Sequence, residues 1–76
     1  MSREKWMLEI YRAETSEHVA TMEFDSLPLL RVALAENRDK KFIIEPPTNA
    51  TAEDRITLLD LRAQGFDIAV RTPHSG

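Results

Sequence analysis

Large apolar residues alternate with polar or smaller ones from Trp6 to Ala13: Trp6, Leu8 and Ile10 share one phase, Met7, Glu9 and Tyr11 the other. A period of two, rich in aromatic and β-branched side chains, predicts a strand with one buried face. His18 to Phe24 repeats it, with Ala20, Met22 and Phe24 against Val19, Thr21 and Glu23. The short polar stretch Glu14-Thr15-Ser16-Glu17 between them predicts a hairpin. Residues paired across an antiparallel ladder point to the same side of the sheet. Bringing Leu8 and Ile10 to the side of Met22 and Phe24 therefore requires paired positions of even sum. Pairing Glu14 with His18 does so, with Ile10 facing Met22, Leu8 facing Phe24 and a loop of Thr15 to Glu17. A five-residue loop has the same parity. No glycine supplies the left-handed position such loops favour. A two-residue Thr15-Ser16 turn would set Leu8 against Glu23 and waste the pattern.

The period then changes. Asp25-Ser26-Leu27-Pro28 predicts a helix start, with Asp or Ser as cap and Pro in the first turn. Leu27, Leu30 and Leu34, widened by Leu29 and Ala33, form its apolar stripe, which fades near Asn37. Phe42-Ile43-Ile44-Glu45 predicts a third strand, ended by Pro46-Pro47, which cannot donate to a ladder. Thr51 caps a second helix, with Glu53 and Asp54 in its first turn complementing the dipole. Ala52, Ile56, Leu59 and Ala63 form the main stripe of that helix, which leaves Leu58 unexplained. Gly65 suits the residue just past the helix end, and Phe66 would then touch Leu61. Phe66 to Thr72 predicts a fourth strand with Phe66, Ile68 and Val70 inward and Asp67, Ala69 and Arg71 outward; Pro73 to Gly76 is expected to fray.

The expected fold is α+β: one domain over residues 1–76, core 5–72 and flexible tail 73–76, of order ββαβαβ. Two helices pack on one face of a mixed four-stranded sheet. Both strand–helix–strand connections, if within one sheet, predict right-handed crossovers between parallel neighbours. The helix–strand units 26–46 and 51–72 are only loosely alike and show no sequence repeat.

Composition narrows the function. Seventy-six residues make one thin-cored domain, since a chain this short buries only about 60% of the surface its unfolded state exposes. The chain has no cysteine, so neither a disulfide nor a thiolate metal site braces it, and a reducing compartment suits it. Apolar residues at 42% and charged residues at 30% are ordinary for a globular protein. No run approaches the ~20 apolar residues of a membrane span. The opening Met-Ser-Arg-Glu-Lys-Trp has no secretory apolar segment. The expected setting is cytoplasmic, with no membrane partner. A net charge of −3 disfavours generic binding of a phosphate backbone.

Candidate chemistry is sparse. His18 follows the hairpin turn and His74 lies in the tail, and neither has the orienting neighbour or pocket a general base needs. Ser16, Ser26 and Ser75 lack nucleophile-elbow context, and Ser26 reads better as a cap. Gly65 and Gly76 are the only glycines, which excludes a phosphate-cradling loop. Asn49-Ala50-Thr51 matches a glycosylation sequon but carries no secretion signal, and Asp54 and Asp60 read as helix surface. Arg38-Asp39-Lys40-Lys41 reads as a solvated loop rather than an anion site. Tyr11 has acidic neighbours, whereas readers of single-stranded RNA set aromatics on a basic sheet. Trp6 reads as packing against the second helix or a sheet edge; Leu58 and Val32 read as isolated apolar residues on the helix backs. The sequence implies no catalytic residue, no metal ligand, no cofactor and no enzyme.

One pattern remains. Glu9, Glu23, Glu45 and Asp67 fall one in each strand, out of phase with the large apolar residues. In a single sheet they share the face away from the core. Glu45 is the least secure, because Phe42-Ile43-Ile44 allows either phase. The expected register sets Glu9 against Glu23, a like-charge pair that costs a few tenths of a kcal/mol unless solvated or neutralised by Lys5, Lys41 or Arg71. The expected function is a small protein-interaction module, a regulator or inhibitor of another macromolecule such as a basic nucleic-acid-binding protein. Its partner-binding residues would be Met7, Glu9, Tyr11, Thr21, Glu23, Ile43, Glu45 and Asp67. Regulators of phages and mobile elements are often of this size and charge, an analogy of class only. The alternatives are a homo-oligomeric accessory protein, pairing through Met7, Tyr11, Val19, Ile43 and Ala69, and a small nucleic-acid-binding regulator.

Overall fold

The computed structural model describes residues 5–71. Thr72 and the tail with His74 and Ser75 lie outside the described residues. The elements follow the expected order: β1 (Trp6–Tyr11), β2 (His18–Phe24), α1 (Leu27–Glu36), β3 (Lys41–Glu45), α2 (Ala52–Ala63) and β4 (Asp67–Val70). They form one mixed four-stranded sheet of spatial order β2-β1-β3-β4 with two helices, an α+β domain. β1 runs antiparallel to both β2 and β3, and β3 runs parallel to β4. Only the second connection therefore joins parallel neighbours. β2 and β3 are parallel to each other, but β1 lies between them, and α1 packs over β1 and β2 as it crosses.

Alternation places the core as expected on β1 and β3. Trp6, Leu8, Ile10, Phe42 and Ile44 are buried in one cluster with Leu27, Leu30 and Leu34 of α1 and Leu58 and Leu61 of α2, so Trp6 is a core residue. Each such aliphatic or aromatic side chain contributes about 1.5–3 kcal/mol by leaving water. This settles the phase of β3: Phe42 and Ile44 face inward, Ile43 and Glu45 outward. Cover is thinner at the edges. Met22 on β2 is 40% exposed and Val70 on β4 41%, although both fall in the inward phase.

The hairpin keeps its parity but shifts by two residues. Leu8 faces Met22, Trp6 faces Phe24 and Ile10 faces Ala20, so Glu9 lies opposite Thr21 rather than Glu23. The longer loop is closed by Arg12 N–H donating to the Glu17 carbonyl (2.9 Å) and Ser16 N–H to the Arg12 carbonyl (2.9 Å). Ser16, not a glycine, takes the left-handed position with φ 60°. A bulge between Ala20 and His18 leaves Val19 without a partner opposite.

The helices depart from their expected faces. On α1, Leu27, Leu30, Ala33 and Leu34 are buried, while Leu29 is exposed along with Val32. Ser26 occupies the cap position without a side-chain cap bond. On α2 the reversal is complete: Leu58 is 2% exposed and Leu61 is buried, while Ile56 and Leu59 are 59% and 61% exposed, with Ala52 and Ala63 also in solvent. The ends of α2 hold as expected. Thr51 and Asp54 form a reciprocal capping box, with 3.1 Å bonds in both directions. Gly65, at φ 109°, completes a Schellman turn in which Phe66 N–H donates to the Leu61 carbonyl and Gly65 N–H to that of Arg62. Arg38, from the charged run, stands over the Phe66 ring at 4.6 Å. Among the described residues no helix is long and apolar enough to cross a membrane.

Candidate functional site on the outer face of the sheet

Strand pairing arranges the outward residues in rows across the sheet. Thr21, Glu9, Ile43 and Ala69 form the middle row, and His18, Tyr11, Lys41 and Asp67 the row toward the hairpin. Toward the other end Met7 lies between Glu23 and Glu45. All eight residues marked from the sequence therefore share this face. The one-residue alternation of a strand makes that outcome unavoidable once the inward phase is fixed.

Two of the four carboxylates, Glu9 and Glu45, are held by one cation. Arg71 Nη1 donates to Glu9 Oε2 at 3.0 Å and lies 3.9 Å from Glu45 Oε1, so one guanidinium serves two strands. Tyr11 Oη donates to the other Glu9 oxygen. This hydrogen bond is the main cause that holds the Glu9 carboxyl below its ordinary pKa; burial opposes it, and the charge and hydrogen bond of Arg71 add to the lowering. The same bond to Glu9, together with burial and the neighbouring negative charge, raises the Tyr11 phenol above its ordinary value. The His18 ring meets Tyr11 edge-on, with centroids 5.4 Å apart, and its Nε2 lies 2.7 Å from Thr21 Oγ1. A connected line thus runs from His18 of β2 through Tyr11 and Glu9 of β1 and Arg71, the residue after β4, to Glu45 of β3.

Either side of that line the face is hollowed. One depression of about 370 Å³ is bounded by Lys5, Met7, Glu45, Pro46, Pro47 and Arg71. A second, of about 470 Å³, is bounded by Tyr11, Ser16, Lys41, Ile43, Asp67 and Ala69. Met7, Tyr11 and Ile43 are half-buried, so they are stiff enough to receive a partner without much further ordering. Both hollows are open and shallow, the form of a surface that receives protruding side chains.

Of the three cations the sequence offers to offset Glu9, Arg71 is the one that pairs with it, from 62 positions away and beyond a non-adjacent strand. The sequence carries no signal for the contact of the exposed His18 with Tyr11, which follows from the bulge. Lys5 pairs instead with Asp25 at 3.5 Å. Among the described residues, no group of three histidine or acidic side chains is arranged to hold a metal ion. No protein-family model, curated protein or solved structure matches the chain.

Proposed function

We propose that the chain is a non-enzymatic protein-interaction module, a regulator or inhibitor, that binds another protein across the outer face of its sheet. The observation that carries this reading is the pair of shallow hollows held on either side of a fixed Tyr11–Glu9–Arg71 bridge. A polar group already bonded within the chain costs little to cover, because its partners are in place before the partner protein arrives. Met7, Tyr11 and Ile43 supply the apolar contact area. Four carboxylates against Lys41 and Arg71 leave the face negative, which suits a partner of positive charge, such as a nucleic-acid-binding protein, and favours its approach.

The test is a quantitative pull-down from cytoplasmic extract of the native host, with Ile43→Asp and Glu23→Lys beside the wild type. Ile43→Asp places a charge in the second hollow, and Glu23→Lys reverses one at the margin. Both positions are outward, so unchanged thermal unfolding separates loss of binding from loss of fold. We expect one partner to disappear with Ile43→Asp and to weaken with Glu23→Lys. Equal capture by all three proteins overturns the reading.

A further inference from the structure

α2 carries an outward apolar stripe that the core does not use. Ala52, Ile56, Leu59 and Ala63 follow spacings of four, three and four. These are the d, a, d and a positions of a coiled-coil heptad. The core-facing Leu58 and Leu61 then occupy c and f, on the opposite side of the helix. Isolated exposed apolar residues are ordinary, but a stripe in heptad register is the form in which one helix packs along another.

The positions beside the stripe specify the occupant. Arg55 and Arg62 fall at g, and Glu53 and Asp60 at e, so one flank is basic and the other acidic. Neither Arg55 nor Asp60 makes a salt bridge among the described residues. In a parallel pair of identical helices, g of one faces e five positions on in the other. Arg55 then meets Asp60 of the second copy, twice by symmetry. In an antiparallel pair each flank meets its own kind, Arg55 against Arg62 and Glu53 against Asp60, and like charges in contact are unfavourable. The a and d residues agree with the flanks, since a β-branched residue at a with leucine at d favours a parallel two-stranded pair, and here these are Ile56 and Leu59.

We infer that α2 is a self-association surface whose occupant is a second copy of this chain, docked parallel along the Ala52–Ile56–Leu59–Ala63 stripe and held in register by reciprocal Arg55–Asp60 pairs. This surface lies on the helix layer, independent of the sheet face. Sedimentation equilibrium of the wild type from about 10 µM to about 1 mM tests it. We expect a reversible monomer–dimer equilibrium in that range, and a monomer throughout for Leu59→Lys, whose exposed position leaves the fold intact. Arg55→Asp and Asp60→Arg each weaken association at least tenfold by opposing like charges, and the double swap restores it. A wild type that stays monomeric to the highest concentration overturns the proposal. So does an Arg55→Asp variant that associates more tightly, since that is the mark of an antiparallel pair, and so does a Leu59→Lys variant that dimerises like the wild type.

Discussion

Glu9 and Tyr11 shift each other in opposite directions, which gives the fold a pH signature of its own. The Glu9 carboxyl has a folded pKa below its unfolded one. Its contribution is complete above the ordinary carboxylate value, about 4.3, and is lost as pH falls through the folded value. The Tyr11 phenol has a folded pKa above its unfolded one. Its contribution is complete below about 10 and is lost as pH rises through the folded value. Stability should therefore be level between these limits and fall at both ends. Other carboxylates also titrate in acid, so the informative quantity is the difference between wild type and variant. Glu9→Gln should remove the alkaline fall and return the phenol to its ordinary range, which ultraviolet titration reads without ambiguity because Tyr11 is the only tyrosine. Tyr11→Phe should let Glu9 titrate at higher pH, because it removes the largest cause of the depression. Urea unfolding across the pH range checks both. A phenol that titrates identically in wild type and Glu9→Gln contradicts the coupling.

At the level of elements, α2 shows what a linear pattern can and cannot specify. Its apolar residues form two stripes on opposite sides, and the more regular one invited assignment to the core. The roll of the helix is set from its end. The Schellman turn fixes Leu61 against Phe66, Phe66 enters the core at the head of β4, and Leu58, three residues before Leu61, turns inward with it. Truncating Leu58 to Ala should therefore cost about 2–5 kcal/mol, as expected of a buried leucine that leaves a cavity. Leu59→Ala should lie within about 0.5 kcal/mol of wild type at concentrations where the chain is monomeric. Thermal or urea unfolding of the two variants decides the matter, and equal losses would mean the helix is rolled otherwise. The hairpin has the same lesson. Alternation dictates parity, so Leu8 and Met22 were bound to share a face, but a two-residue slip preserves every facing relation. The choice between registers fell to Ser16 in a left-handed conformation and to the bulge at Val19, neither of which has a signal in composition. The candidate site was legible to the same degree. Its eight residues lie on one face because period two requires it, whereas the Glu9–Arg71 bridge depended on a strand order that alternation does not encode.

On the scale of the whole molecule, the sheet face and the α2 stripe lie on opposite sides of a two-layer domain, so each can be occupied without obstructing the other. A parallel pair joined through α2 would present two sheet faces at once. The two faces point away from each other, so one dimer cannot lay both on the same flat surface and instead bridges two partner molecules. This separates the two surfaces experimentally once a partner is in hand. Wild type and Leu59→Lys should bind the free partner with the same affinity per chain, because the sheet face is untouched. On a surface coated with that partner, the captured wild type should take up further free partner on its outward sheet face, whereas captured Leu59→Lys should not. Ile43→Asp should abolish binding in both formats while leaving sedimentation unchanged. Rising salt should weaken the two contacts by different routes: at the sheet it screens attraction between an acidic face and a positive partner, and between helices it screens only the Arg55–Asp60 pairs at the margin of an apolar seam. Binding of the free partner should therefore fall more steeply with ionic strength than dimerisation does. Parallel falls would mean that both contacts use the same surface.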